Sequence, residues 1–495
     1  MNNLRKYLLL ALLFVAFTAN AQDMPVKDTV AVKDTTGVVK DTAGMAKDTA
    51  NQPARQELNV LERKYERQKG EQAVVDSQKM AEAKIDSGKV SDEKKQLAGY
   101  IAALASNEMY GRGYVANGRD IAARYILKKF RELKLQPVAK NGAFAQGYAF
   151  PVNTFPGVMD LSIDDAYLAP GNDYLIDASS SSFTKKDLKF KKIDLGKIPE
   201  IAAWRLMKSE MDTNYVYLLE NVTIFCENML HIRAEKFPAQ LPRGCFIIPE
   251  EGKLTWTVSR EIMPATVFHV RAAAIPKKVK KVSVSVASVF VPKAHSENIV
   301  ACVPGEVKDT FIVFSAHYDH LGMMGQNTIF PGASDNASGT ATLLYLASYF
   351  AKHPQHYSIM FIAFSGEEAA LMGSEFYVGH PMAPLSNIKF LTNIDIMGDA
   401  TDGVTVVNAT EFPKQFLLLQ EINQKHSYLP VINSRGRAAN SDHYYFTEQG
   451  VPSFFIYSAG GKGYYHDVYD RAKAVTLNHI DDVTKLLIDF VQELN

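Results

Sequence analysis

Five stretches of this chain carry residue types that could do chemistry together: His317-Tyr318-Asp319-His320, Ser334-Asp335-Asn336, Glu367-Glu368, Asp395 and Tyr464-Tyr465-His466-Asp467. Each alone is weak. A His-x-Asp triplet arises by chance in a chain of this size, a lone Asp at a strand end caps helices, and paired glutamates commonly face solvent. In this order they offer imidazole and carboxylate donors in the number that two divalent ions need, most naturally zinc. One carboxylate would be shared and one Glu left over. Two such ions about 3.5–4 Å apart can polarise a carbonyl and ionise a shared water.

The elements that must position these groups follow from periodicity. Residues 299–303, 311–316, 358–364, 388–394, 404–407 and 451–457 read as strands. Residues 339–351 read as a helix with Leu343, Leu344, Ala347 and Phe350 inward. Further helices are expected at 369–378, near 414–424 and from about 477 to the end. This alternation predicts the α/β class, with a mostly parallel mixed sheet covered by helices on both faces. Each polar stretch falls at a strand end, and open α/β sheets bind ligands beyond the carboxyl ends of their strands. All five are therefore expected on one rim.

Upstream, residues 97–144 read as helical, with Leu97, Ile101 and Leu104 on one face and the loop Tyr110-Gly111-Arg112-Gly113 before a second amphipathic stretch. Residues 145–291 have a different texture and read as an inserted β-rich domain, in which Val282, Val284 and Val286 alternate with Ser283 and Ser285. Its Cys226 and Cys245 fit a disulfide or two buried thiols equally well.

Composition bounds the rest. Lys plus Arg and Asp plus Glu number 54 each, which removes the electrostatic case for nucleic acid or anionic membrane as a main partner. Three cysteines are too few and too scattered for a disulfide scaffold, so metal chemistry must use His, Asp and Glu. Arg5 and Lys6, an apolar run over residues 7–17 and the small-x-small pattern Ala19-Asn20-Ala21 read as a signal peptide, 1–21. Export to the periplasm or the medium is expected, without an integral membrane span. Residues 22–56 repeat Lys-Asp-Thr and read as a disordered spacer, and 57–96 as a charged helical linker.

From Ser296 onward the chain resembles the M28 family of co-catalytic zinc peptidases. The text that carries the resemblance is SAHYDHLG, PGASDNASGTATLL, FIAFSGEEAALMGSEFYV, NIDIMG, SDHYYFTEQGVPSFF and YYHDVYD, in the family's order. The stretch from Ser106 to Val138 resembles the family's N-terminal helices, so the peptidase domain, 292–495 with 97–144, is split by 145–291. That insertion stands where a protease-associated domain would. The resemblance implies a zinc exopeptidase fold, peptide substrates and two zinc ions per chain. It implies His317, Asp335 and Asp395 as ligands of one zinc, and Asp335, Glu368 and His466 of the other, with Asp335 bridging. Glu367 resembles the general base, Asp319 the carboxylate that orients the His317 ring, and Tyr465 a tyrosine that steadies the oxyanion. Asp442 resembles an acid near the metals, whereas His320 and His443 match no ligand. The peptide bond after Asp335 is expected to be cis.

The sequence departs from the family after His466, where Asp467-Val468-Tyr469-Asp470 replaces the common pattern, and at Lys462. These bear on substrate preference. The leading expectation is an aminopeptidase. A carboxypeptidase or dipeptidase on the same site is kept open by Arg435, Arg437 and Lys462, and a glutaminyl-cyclase-like acyltransferase is the further alternative.

Overall fold

The computed structural model describes residues 91–494. The expected leader, the spacer and residues 57–90 of the linker lie outside them.

The first sheet has eight strands in the order 145–154, 289–303, 357–364, 307–317, 388–395, 453–458, 404–407, 432–434. The middle strands Tyr357–Phe364, Val307–His317, Ile388–Asp395 and Ser453–Ser458 are mutually parallel. Both faces of these strands are buried. Ile312, Phe314 and Ala316 enter one core, and Phe311 and Val313 the other. Period-2 side chains that are apolar on both sides cannot face water, so helices cover the sheet twice over.

One layer holds Asp92–Leu104, Gly118–Glu132, Gly339–Phe350, Pro413–His426 and Ile480–Leu494. Ser91 caps the first of these, its hydroxyl accepting from the Lys94 amide at 3.2 Å, with Asp92 and Glu93 in the first turn complementing the helix dipole. The other layer holds Met372–Gly379 and His443–Glu448.

A second eight-stranded sheet takes all its strands from within Met159–Val286. It is mixed, with Phe183–Asp194, Tyr215–Glu220, Gly244–Glu250 and Ala265–Arg271 parallel to one another. The strand Ala145–Thr154 belongs instead to the main sheet, paired with Val289–Val303. Cys226, Cys245 and Cys302 are free, buried thiols. The two sheets share a core, since Leu321, Met324 and Phe330, which follow the strand Val307–His317, pack with Phe155, Met159 and Trp256. Among the described residues no helix is long and apolar enough to cross a membrane.

Candidate metal centre

The carboxyl ends of the parallel strands bring the polar stretches to one rim. His317 is the last residue of its strand and Asp395 the last of its own. Glu367 and Glu368 follow Phe364 after a turn at Gly366 (φ +70°), and His466 (φ +55°) lies in the loop beyond Ser458. Asp335 sits in a tight turn held from three sides. Asp470 accepts the amides of Ser334 at 2.8 Å and of Asp335 at 3.0 Å. Asn336 donates to the Ile394 carbonyl at 3.1 Å and accepts the Gly339 amide at 2.8 Å. The fully buried Arg112 donates to the carbonyls of Leu104, Tyr318, Pro331, Gly332 and Asp335 at 2.7–3.3 Å. Gly332 must be glycine. Its φ is +57°, and a Cβ there would meet the Asp335 carbonyl oxygen at 2.2 Å. The Asp335–Asn336 peptide bond is cis.

The side chains form two adjoining groups. In the first, His317 Nε2 lies 3.3 Å from Asp395 Oδ1, 3.4 Å from Asp335 Oδ1 and 4.0 Å from Glu367 Oε2. In the second, His466 Nε2 lies 3.0 Å from Asp335 Oδ2 and 3.2 Å from Glu368 Oε2. The two carboxylate oxygens of Asp335 thus face different histidines. The outer contacts orient these groups. Ser441 Oγ donates to Asp395 Oδ2 at 3.1 Å and receives from Asn393 at 2.7 Å. Asp319 Oδ1 accepts the Glu367 amide at 3.3 Å. The His317 Nδ1 meets the Asp319 backbone carbonyl at 3.2 Å, nearer than its carboxylate at 3.8 Å. Tyr465 stacks on the His466 ring, centroids 3.9 Å apart.

The electrostatics suit a cation. Burial works against a charged imidazole, yet the carboxylates around His317 raise its proton affinity well above the ordinary value. His466 likewise rises to about 11 against its burial, driven by Glu368 and Asp335. Burial, reinforced by Glu368 and Asp395, pushes Glu367 well above the usual carboxylate range. Asp319 is lifted to about 6 by burial, and Asp442, fully buried, to about 7 for the same reason. Four acids converging in a buried place need positive charge to stay together. His320 Nε2 and Asp319 Oδ2 are also buried with no hydrogen-bond partner among the described residues. The ligand atoms of His317, Glu367 and Asp395 lie within 4.8 Å of one another, as do those of His320, Asp335, Glu368 and His466. This nitrogen and oxygen donor set fits zinc, with no thiolate within it.

All the residues expected at the site come together there: His317, Asp319, Asp335, Glu367, Glu368, Asp395, Tyr465 and His466. The loop arginines do not converge on it: Arg435 donates to the Tyr457 hydroxyl at 3.3 Å and Arg437 pairs with Glu448. Lys462 lines a cavity of about 280 Å³ that adjoins the centre, sharing Asp335 and Tyr465 with it. Sequence reasoning set aside one participant, His320, and missed three more, Arg112, Asp470 and Ser441. His320 donates from Nδ1 to Glu368 Oε1 at 2.7 Å, and Arg112, Asp470 and Ser441 hold the loops and a carboxylate. Arg112 was legible only as part of a glycine-rich loop, and Asp470 only as a departure from a family pattern.

Comparison with known proteins gives the same frame. Residues 298–491 match Peptidase family M28. A protein of Trichophyton verrucosum named as a probable leucine aminopeptidase is 28% identical over 230 residues, which are 41% of this chain and 58% of that protein. Aminopeptidase YwaD of Bacillus subtilis is 30% identical over 163 residues, 32% of this chain and 34% of its own. The chain therefore spans less than two thirds of the length of these relatives. The solved structure of BSAP, a zinc aminopeptidase from Bacillus subtilis, superposes with a TM-score of 0.59 at 19% identity, covering 81% of this chain and 94% of that one. A peptidase M28 precursor from Shewanella amazonensis gives 0.56 at 14% identity, covering 86% and 97%. The fold is that of these two solved structures.

Proposed function

We propose that this M28-like chain is an exported, zinc-dependent aminopeptidase that removes residues from the N-terminus of peptides. The observation that carries the reading is the divided carboxylate of Asp335, with Oδ1 at 3.4 Å from His317 and Oδ2 at 3.0 Å from His466. His317, Asp335 and Asp395 would hold one zinc, and Asp335, Glu368 and His466 the other. When bound, the ions would supply Lewis-acid polarisation of the peptide carbonyl and acidity to a water.

The rest of the chemistry belongs to the chain. Glu367 is required by neither ligand set, so its carboxylate is free to take the proton of the attacking water and deliver it to the departing amine. Asp319 fixes this group through the Glu367 amide and His317 through its carbonyl, so one residue orients both sides of the reaction. Tyr465, held flat against His466, is available to steady the oxyanion. The acidic surroundings attract a protonated amine, which favours the amino end of a peptide.

One observation favours a second reading. A cleft of about 470 Å³ beside Glu367, Glu368 and His466 is also lined by Lys236 and Arg260 of the inserted segment. Those cations suit a terminal carboxylate, as a carboxypeptidase or dipeptidase would need. A mixed peptide library with each terminus blocked in turn separates the two. Loss of cleavage on acetylating the amine is expected, and loss only on amidating the carboxylate would overturn the aminopeptidase reading. Secretion of a full-length fusion, with a mature start at Gln22, tests export.

A further inference from the structure

His466 lies in a loop, residues 459–470, that contains Gly460, Gly461 and Gly463 and has no regular structure of its own. Such a segment has many conformations to lose, so something must hold the imidazole against its own chain's freedom. The hold comes from the second sheet. Between the strands Gly244–Glu250 and Ala265–Arg271, residues 251–264 cross over to the metal centre as a strap.

The strap grips the loop at several points. The Trp256 carbonyl accepts from His466 Nδ1 at 2.9 Å, and the Trp256 amide donates to the His466 carbonyl at 3.0 Å. Lys253 Nζ donates to the carbonyls of Gly463 at 2.9 Å and Tyr465 at 2.8 Å, and pairs with Asp467 at 2.8 Å. The strap is itself anchored. Trp256 Nε1 donates to the Ile176 carbonyl at 2.8 Å, its ring packs 4.7 Å from Phe330, and the Asn153 amide donates to the Ser259 carbonyl at 2.8 Å.

The chemistry of the clasp is specific. A carbonyl can only accept, so Nδ1 of His466 must carry the proton. That leaves Nε2 as the nitrogen that can give up its proton to a metal ion, and it is the one turned towards Asp335 and Glu368.

We infer that residues 251–264 of the inserted segment are a positioning element of the metal centre, with Trp256 selecting the His466 tautomer and Lys253 fixing the loop that carries it. This rests on the zinc reading above and goes beyond it: the insertion becomes a working part of one metal position. Among the described residues the hydrogen bonds and ion pairs of His317 and Asp395 go elsewhere than the strap, so the other position should depend on it less.

The test uses the full chain and zinc alone. Zinc stoichiometry and affinity are measured by chelator competition for wild type, Lys253→Met and Lys253→Arg, with deuterium exchange of residues 459–470 followed in the metal-free proteins. In Lys253→Met one of two zincs should weaken by about 10–100-fold, as loss of an outer contact commonly does, while the other holds. Loop exchange should quicken, and Lys253→Arg should restore both. A folded Lys253→Met that keeps wild-type affinity for both zincs overturns the inference. Wild type that takes up no zinc would fail the zinc reading instead. Quicker exchange of the loop in Lys253→Met would then still uphold the strap's hold, and unchanged exchange would overturn it. Should Lys253→Met not fold, Asp467→Asn weakens the same ion pair from the loop side and is read in the same way.

Discussion

Glu367 and Glu368 are adjacent in the chain, yet they serve different groups. Glu368 turns Oε2 to His466 at 3.2 Å and Oε1 to His320 at 2.7 Å, whereas Glu367 faces His317 at 4.0 Å. A turn separates two neighbouring side chains in this way when one must bind and the other must stay free.

Glu367→Gln should therefore keep both zincs while turnover falls by at least about 100-fold, the lower end of what a general base contributes. Metal analysis beside steady-state kinetics checks this. Full metal with wild-type turnover would remove Glu367 from the mechanism.

Asp335→Ala should empty both metal positions, and His317→Ala mainly one, because only Asp335 divides its oxygens between the two groups. Zinc content after dialysis against a weak chelator distinguishes them. Equal losses of one ion from both variants would contradict the shared role.

Arg112→Met should cost about 3 kcal/mol or more of stability, since it strands buried carbonyls that the guanidinium now satisfies. Burial brings its proton affinity down to about 10, still well above neutral pH, so the side chain remains a cation. Arg112→Lys should recover only part of the loss, because one ammonium cannot reach so many acceptors in a fork. Urea denaturation of the metal-free protein provides the measurement.

His269, in the second sheet, gives a pH test away from the centre. Burial opposes its charge, but Asp177 and Glu250, the latter at 2.8 Å, raise it to about 9 from 6.5. A folded value above the unfolded one stabilises fully below pH 6.5, and that contribution fades as pH rises through 9. His269→Gln should therefore cost about 1–2 kcal/mol at pH 6 and almost nothing at pH 10, a magnitude reduced because water reaches Glu250. Equal costs at both pH values would rule out the charge as the cause.

Much of this is legible in the sequence. The strand ends that carry His317 and Asp395 follow from apolar runs ending in polar residues, and Val282, Val284 and Val286 are buried as their alternation requires. The hidden parts share one physical reason: they act on backbone. Arg112 binds carbonyls up to 223 residues away, and the partner of His466 Nδ1 is the carbonyl of Trp256. A carbonyl has no letter in a sequence. The edge strand Ala145–Thr154 escaped for a related reason, because its membership of the main sheet is decided by pairing with Val289–Val303 rather than by its own composition.

The clasp between Trp256 and His466 joins positions 210 residues apart. A chain emerging from its N-terminus makes the strap long before the loop, so the centre has no assembled form until the last strands are in place. On the aminopeptidase reading proposed above, a chain that has not yet reached residues 459–470 lacks His466, and with it a complete second metal position.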